Sequence, residues 1–152
     1  TLDYRLTVRE ILDVASTVAY EDIEFILESR TLNMALAEEG MKGCYGLKVG
    51  YAINLAANRE VFGEDFLSYA MSLTAAASDA RMAGCTLAAM SNSGSGNQGI
   101  SATMPVVVYA EDTHKSEEQM TVEDLLHCLL QEGYTVRFKI VELYEQFMGL
   151  FR

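Results

Sequence analysis

The sequence predicts a mainly α-helical domain with a buried Gly/Ser-rich loop, and three observations predict it. Apolar residues recur at helical spacing along most of the chain. Only one proline, Pro105, stands among 152 residues, so few helices are expected to be interrupted. Six alanines (Ala70, Ala75, Ala76, Ala77, Ala80 and Ala83) crowd one stretch and leave little side chain to hold neighbours apart, as a centrally buried helix requires. The length suits one domain with a sizeable core, burying roughly 70% of the surface its unfolded form exposes. Apolar residues make up 50% and charged residues 22% of the chain, a globular balance.

Taken in order, Thr7 and Glu10 have capping-box spacing, and Val8, Ile11, Leu12, Ala15 and Val18 follow on one helical face. A second helix is predicted from Glu21 to Glu39, with Ile23, Ile26, Leu27 and Met34 inward and Gly40 as its stop. Gly40, Gly43, Gly46 and Gly50 punctuate a turn region. A third helix around Leu47 to Asn58 presents Val49, Ile53, Ala56 and Ala57. A fourth, from Asp65 to Ala83, carries Leu67, Ala70, Met71, Thr74 and Ala77, and Gly84 ends it. The segment 104–110, Met-Pro-Val-Val-Val-Tyr-Ala, suits either a short strand or a buried helix with Pro105 in its first turn. From Met120 the character changes. Thr121 and Asp124 are candidate caps for a helix with Val122, Leu125, Leu126, Leu129 and Leu130 inward and Gly133 as its stop. Val136, Phe138 and Ile140 alternate like a strand over 135–141, and Leu143, Tyr144 and Phe147 return to a helical period. No internal repeat is present.

Charge removes several classes of partner. Eleven Lys and Arg against 22 Asp and Glu give a formal charge of −11, which repels a nucleic-acid backbone and an anionic membrane surface. The uncharged run from Met82 to Ala110 is interrupted by Ser91 to Gly99, too polar for hydrocarbon, so no membrane span is expected. No signal-peptide pattern opens the chain. Cys44, Cys85 and Cys128 are odd in number and lack CxxC spacing, so no disulfide framework is implied and a cytoplasmic location is expected.

Ser93-Gly94-Ser95-Gly96-Asn97-Gln98-Gly99 is the most informative stretch. Its glycines let backbone N–H groups converge on an anion, and its serines and amides add neutral donors suited to a carboxylate or an amine. Apolar flanks, Leu87 to Met90 and Val106 to Val108, suggest that this polar loop enters the interior, where its groups need partners. A solvated turn between helices is the plainer reading. The run also satisfies G-x-G-x-x-G, yet a helix rather than a strand is predicted before it and Pro105 is expected to interrupt the helix after it. A dinucleotide site is therefore set aside. Cys85 reads as a small buried residue or as a thiolate ligand. Cys44 looks incidental, and Cys128 falls on the apolar side of the late helix. His114 and His127 lack any partner at diagnostic spacing. Asp79 and Arg81 suit a surface pair, or Arg81 a substrate carboxylate.

Ser78-Asp79-Ala80-Arg81-Met82-Ala83-Gly84-Cys85 with Asn92 to Ile100 closely resembles the L-cysteine desulfidase family, related to the α-subunit of iron–sulfur L-serine dehydratases. Glu38 to Gly43 and Tyr45-Gly46 fit the same pattern, and the resemblance runs from about Val8 to Gln119. It implies a helical fold and an α,β-elimination, releasing pyruvate and ammonia from L-serine, or pyruvate, ammonia and sulfide from L-cysteine. It also implies a 4Fe–4S cluster held by three cysteines, whose open iron acts as a Lewis acid on the β-leaving group while a base takes the α-proton. Cys85 matches the first ligand. Ser93 to Gly99 and Arg81 would hold the substrate. The general base is not identified. The family's other two ligand cysteines and its amino-terminal part have no counterpart in this sequence. Residues 1–119 are accordingly expected to form a partial domain of this type and 120–152 a divergent, helical tail. A truncated chain of this kind is expected to be inactive alone and to work with a complementary chain or as a homo-oligomer. The alternative is a non-catalytic helical module whose Gly/Ser loop is a structural or partner-binding element.

Overall fold

The computed structural model describes residues 7–92 and 95–134, with side chains throughout except those of Arg59 and 127–134. The regular elements among the described residues are helices, with no strand. α1 (Val8–Thr17), α2 (Tyr20–Ile23), α3 (Glu28–Gly40), α4 (Val49–Asn54), α5 (Arg59–Phe62), α6 (Phe66–Met82), α7 (Gly96–Asp112) and α8 (Glu117–Tyr134) follow in order, with 3₁₀ turns at Glu24–Leu27 and Ala56–Asn58. None of these helices is long and apolar enough to cross a membrane.

α6 is the central element. α3, α4 and α7 all pack on it, α8 lies on the far side of α7, and α1 lies on α8. The largest apolar cluster joins Leu36 and Ala37 of α3, Ala70, Leu73, Ala77 and Ala80 of α6, and Ile100, Met104 and Val108 of α7. The alanine-rich reading of α6 explains how three helices fit. A Cβ at Gly40 would lie 2.0 Å from the Ala76 carbonyl oxygen, and one at Gly50 would lie 2.3 Å from the Ala76 nitrogen and the Ser72 oxygen. Both helices therefore meet α6 backbone to backbone, which only glycine opposite alanine permits.

Thr7 and Glu10 form the expected capping box, each satisfying the other's backbone N–H. Asp65 caps α6 by accepting from the Ser68 N–H at 2.9 Å. Gly84 (φ +88°) ends that helix, with Gly84 N–H bonded to Arg81 O at 3.1 Å and Cys85 N–H to Ala80 O at 3.0 Å. This double closure is a Schellman motif, and it sets the path of the chain into Cys85.

Several expectations are corrected. The predicted helix from Glu21 to Glu39 is α2, a 3₁₀ turn and α3 in succession. Gly40 is the last residue of α3 and is kept small by contact with Ala76 rather than by a stop conformation. The predicted helix from Leu47 to Asn58 breaks at Leu55, whose ψ of 134° is extended. The strand alternative for 104–110 is overturned: the segment lies inside α7, and Pro105 neither starts nor interrupts that helix. α8 starts before Met120, where Ser116 and Gln119 exchange side-chain bonds to each other's N–H, both at 3.2 Å. Thr121 and Asp124, expected as caps, are fully buried within the helix, which also continues past Gly133. The predicted strand at 135–141 and the helical period at Leu143 to Phe147 lie outside the described residues.

Asp124 is a buried acid among apolar helices. Ser29 donates to its Oδ2 at 2.9 Å, while Oδ1 has no partner among the described residues. Burial pushes the carboxyl up to about 8, with Glu123 adding to the shift and the Ser29 hydroxyl opposing it. The folded group thus keeps its proton up to about pH 8, whereas the unfolded group loses it near pH 4. Unfolding releases that proton between these limits, so stability falls as pH rises through the window, by up to about 1.4 kcal/mol per unit, and levels off above it. Glu10, Glu39 and Asp65 are all pulled below the usual carboxylate range by their hydrogen bonds, so they titrate at lower pH. Melting temperature measured from pH 5 to 8 is expected to decline in the wild type and to be much flatter in Asp124→Asn. Equal slopes in the two proteins would contradict this assignment.

Candidate functional site

The Gly/Ser run divides between two structures. Ser95 is the N-cap of α7 and its hydroxyl accepts from the Gln98 N–H at 3.2 Å. Gly96, Asn97, Gln98 and Gly99 are therefore the first turn of a helix rather than a loop, while Ser93 and Gly94 lie outside the described residues. Ser95 is exposed, Gly96 and Gly99 are buried, and Asn97 and Gln98 are half-buried. The signal was present in the sequence: Ser95-Gly-Asn-Gln98 has the spacing of a capping box.

Two positive features meet at this turn. The first N–H groups of any α-helix lack partners within it and carry a partial positive charge. Arg81, in the last turn of α6, extends across the turn and donates from Nη1 to Asn97 Oδ1 at 3.0 Å. A Cβ at Gly96 would lie 2.3 Å from Arg81 Nε and 2.9 Å from Cζ, so the guanidinium rests directly on the glycine backbone. Asp79 does not share this partner; its Oδ2 accepts from the Gly50 N–H at 3.1 Å. The surface pair expected of Asp79 and Arg81 gives way to separate duties, one tying α4 to α6 and the other dressing the start of α7.

The chain between α6 and α7 is pinned from beneath. Asn33 of α3 is fully buried; its Oδ1 accepts from the Met90 N–H at 3.0 Å and its Nδ2 donates to Thr103 Oγ1 at 2.8 Å. Thr103 in turn donates to Gly99 O at 3.0 Å. A Cβ at Gly99 would lie 2.3 Å from the Met90 oxygen, so the extended segment lies flat on the first turn of α7.

Cys85 begins that segment. It is half-buried and packs against the main apolar cluster, beside Tyr45 and Ala89. Tyr45 donates to Glu39 Oε1 at 3.0 Å. Lys42 closes the group with an ion pair to Glu39 Oε2. The Lys42 and Tyr45 bonds hold the Glu39 carboxyl below its usual range, and the same acid pushes the Tyr45 hydroxyl up to about 12. Glu39, Lys42 and Tyr45 were visible in the sequence only as part of a resemblance. Glu39 and Lys42 stand at helical i, i+3 spacing, whereas Tyr45 is returned to Glu39 by a turn with Gly43 at φ +70°.

Among the described residues no set of thiolates is assembled for a cluster. Cys44 is exposed, the side chain of Cys128 lies outside the described ones, and no three His, Cys, Asp or Glu among the described residues are grouped to hold a metal ion. One thiol beside the turn does not fit a cluster held by three thiolates.

The family model described as serine dehydratase alpha chain matches residues 6–134. The chain belongs to the serine dehydratase α-chain family. The match continues past Gln119 to the end of α8, and α8 itself runs unbroken across that point. Among curated relatives, the UPF0597 protein of Phocaeicola vulgatus is 50% identical over 116 residues, covering 76% of this chain and 27% of the relative. That of Aeromonas hydrophila is 51% identical over 116 residues, 76% of this chain and 26% of the relative. A UPF0597 protein of Bacteroides fragilis is 49% identical over 131 residues, 86% and 29% respectively. This serine dehydratase α-type chain thus spans about a quarter of the length of the curated relatives it matches. No solved structure matches it.

The two glycines of the turn predict different outcomes when a methyl group is added. Gly99→Ala must displace backbone and is expected to cost about 1–3 kcal/mol of stability, as overpacking does. Gly96→Ala meets only a side chain and is expected to swing Arg81 off Asn97 at much smaller cost. Denaturant melts of both variants check the order. A larger loss for Gly96→Ala would contradict the packing described.

Proposed function

We propose that this chain carries the carboxylate-binding part of an amino-acid lyase that performs α,β-elimination on L-serine or L-cysteine. One observation supports this above the rest: Arg81 and the first-turn N–H groups of α7 converge on one spot of a chain whose net charge is −11. A cation at a helix N-terminus is unfavourable in isolation, because it meets the positive end of the dipole. Placing an anion between them removes that conflict, and a carboxylate answers both an Arg fork and backbone donors.

In this reading Arg81 and the N–H groups of Gly96 and Asn97 grip the substrate carboxylate. Ser95 borders it, Gln98 stands on the same turn, and Gly99 keeps the turn seated on Met90. The Asn33–Thr103–Gly99 chain of hydrogen bonds holds the site rigid, so little ordering remains for substrate to induce. Holding the carboxylate fixes the position of the α-carbon. The remaining thiolates and the general base would come from the family's longer chain or from a partner.

A ligand that binds only the native state raises its melting temperature. L-serine or L-cysteine at millimolar concentration is expected to raise that of the wild type, and D-serine is not. Arg81→Gln should abolish the shift while leaving the unliganded melt within about 1 kcal/mol, as for other partly exposed substitutions. A wild-type melt indifferent to both L-amino acids would favour the non-catalytic module instead.

A further inference from the structure

Among the described residues, α6 is packed by α3, α4 and α7. The arc facing α3, α4 and α7 holds Ala70, Leu73, Ala76, Ala77 and Ala80, all buried. The remaining arc carries Leu67, Met71, Thr74, Ala75, Ser78 and Met82, which at helical pitch fall within about 100° of one another. Leu67 is 62%, Met71 45% and Met82 68% exposed. Not one charged residue lies on this arc, although 22% of the chain is charged. The outward face of a surface helix normally carries charge, and a helix apolar all round is normally buried.

We propose that this arc is the seat of a helix from the part of a serine dehydratase α-chain that lies outside the region matched here. Three observations favour that occupant. The relatives are three to four times longer than the matched region, so most of their chain has to pack somewhere. The arc has large side chains at its ends and Thr74, Ala75 and Ser78 in the middle, with four- and three-residue spacing that suits close helix-to-helix contact. The seat also continues to the candidate site. A depression of about 250 Å³ between Gly46, Leu47, Ser78, Asp79 and Met82 adjoins its lower end, and Met82 Sδ lies 3.6 Å from Arg81 Nη1. A helix seated there shields Arg81 from water.

The inference rests on family membership rather than on amino-acid binding, so the two readings fail separately. The probe is the portion of the Phocaeicola vulgatus relative outside its 116-residue match, co-expressed with the tagged full chain. It is expected to co-purify at one-to-one stoichiometry by light scattering. Met71→Glu and Met82→Glu should each lower its capture at least tenfold while keeping the melting temperature of the chain alone. Val14→Glu, exposed on α1, should capture normally. Absent capture, or capture indifferent to both methionine variants, would overturn the proposal. So would a wild-type homodimer that those variants dissociate, since a second copy would then occupy the arc.

Discussion

The backbone contact at Ala76 is the constraint on which the rest of this structure depends. α3 reaches it through Gly40 and α4 through Gly50, each so close that a single methyl group would overlap main-chain atoms. Two helices held against one turn of α6 leave that helix little freedom to rotate. Its buried arc is thereby fixed, and so is the direction in which Arg81 leaves its last turn.

From that fixed helix the candidate site follows by short steps. Gly84 reverses the chain with two closing hydrogen bonds and delivers Cys85 to the edge of the main cluster. The extended segment that follows is held by Asn33 through Met90, and it ends at the N-cap Ser95. α7 then starts directly beneath the guanidinium of Arg81. A polar network joining α3, the segment and α7 costs stability if any member is unpaired, and the bonds of Asn33 to Met90 and Thr103, and of Thr103 to Gly99, tie all three together.

Much of this was legible in the residues. The capping box at Thr7, the cap at Asp65 and the glycine stop at Gly84 are local signals, and local physics decides helix ends. Alanine density marked α6 as a helix approached from several sides, which its neighbours bear out on three. The readings that failed did so for identifiable reasons. Pro105 was weighed as a helix start or an interruption, although the surrounding apolar contacts of α7 outweigh one missing N–H bond. The N-cap at Ser95 lies in a polar run that reads as loop, and the reciprocal Ser116–Gln119 pair starts α8 ahead of the expected change at Met120. Acid and hydroxyl groups favour helix starts, which makes Thr121 and Asp124 read as caps, whereas both are buried mid-helix, Asp124 against Ser29 and Thr121 donating to Glu117 O. Glu39 and Lys42 stand at a readable i, i+3 spacing, but the return of Tyr45 to Glu39 depends on the turn at Gly43, which no sequence period encodes.

The central claim is that a small amino acid is held by its carboxylate between Arg81 and the first turn of α7. Amide-resolved NMR of the ¹⁵N-labelled chain, titrated with L-serine, tests it most directly. The account predicts that the largest shift changes fall on the Gly96, Asn97 and Gln98 amides and on the Arg81 Nε–H, saturating together. Changes centred elsewhere, such as the depression lined by Gly63, Asp65 and Tyr69, with those four signals unmoved, would contradict it.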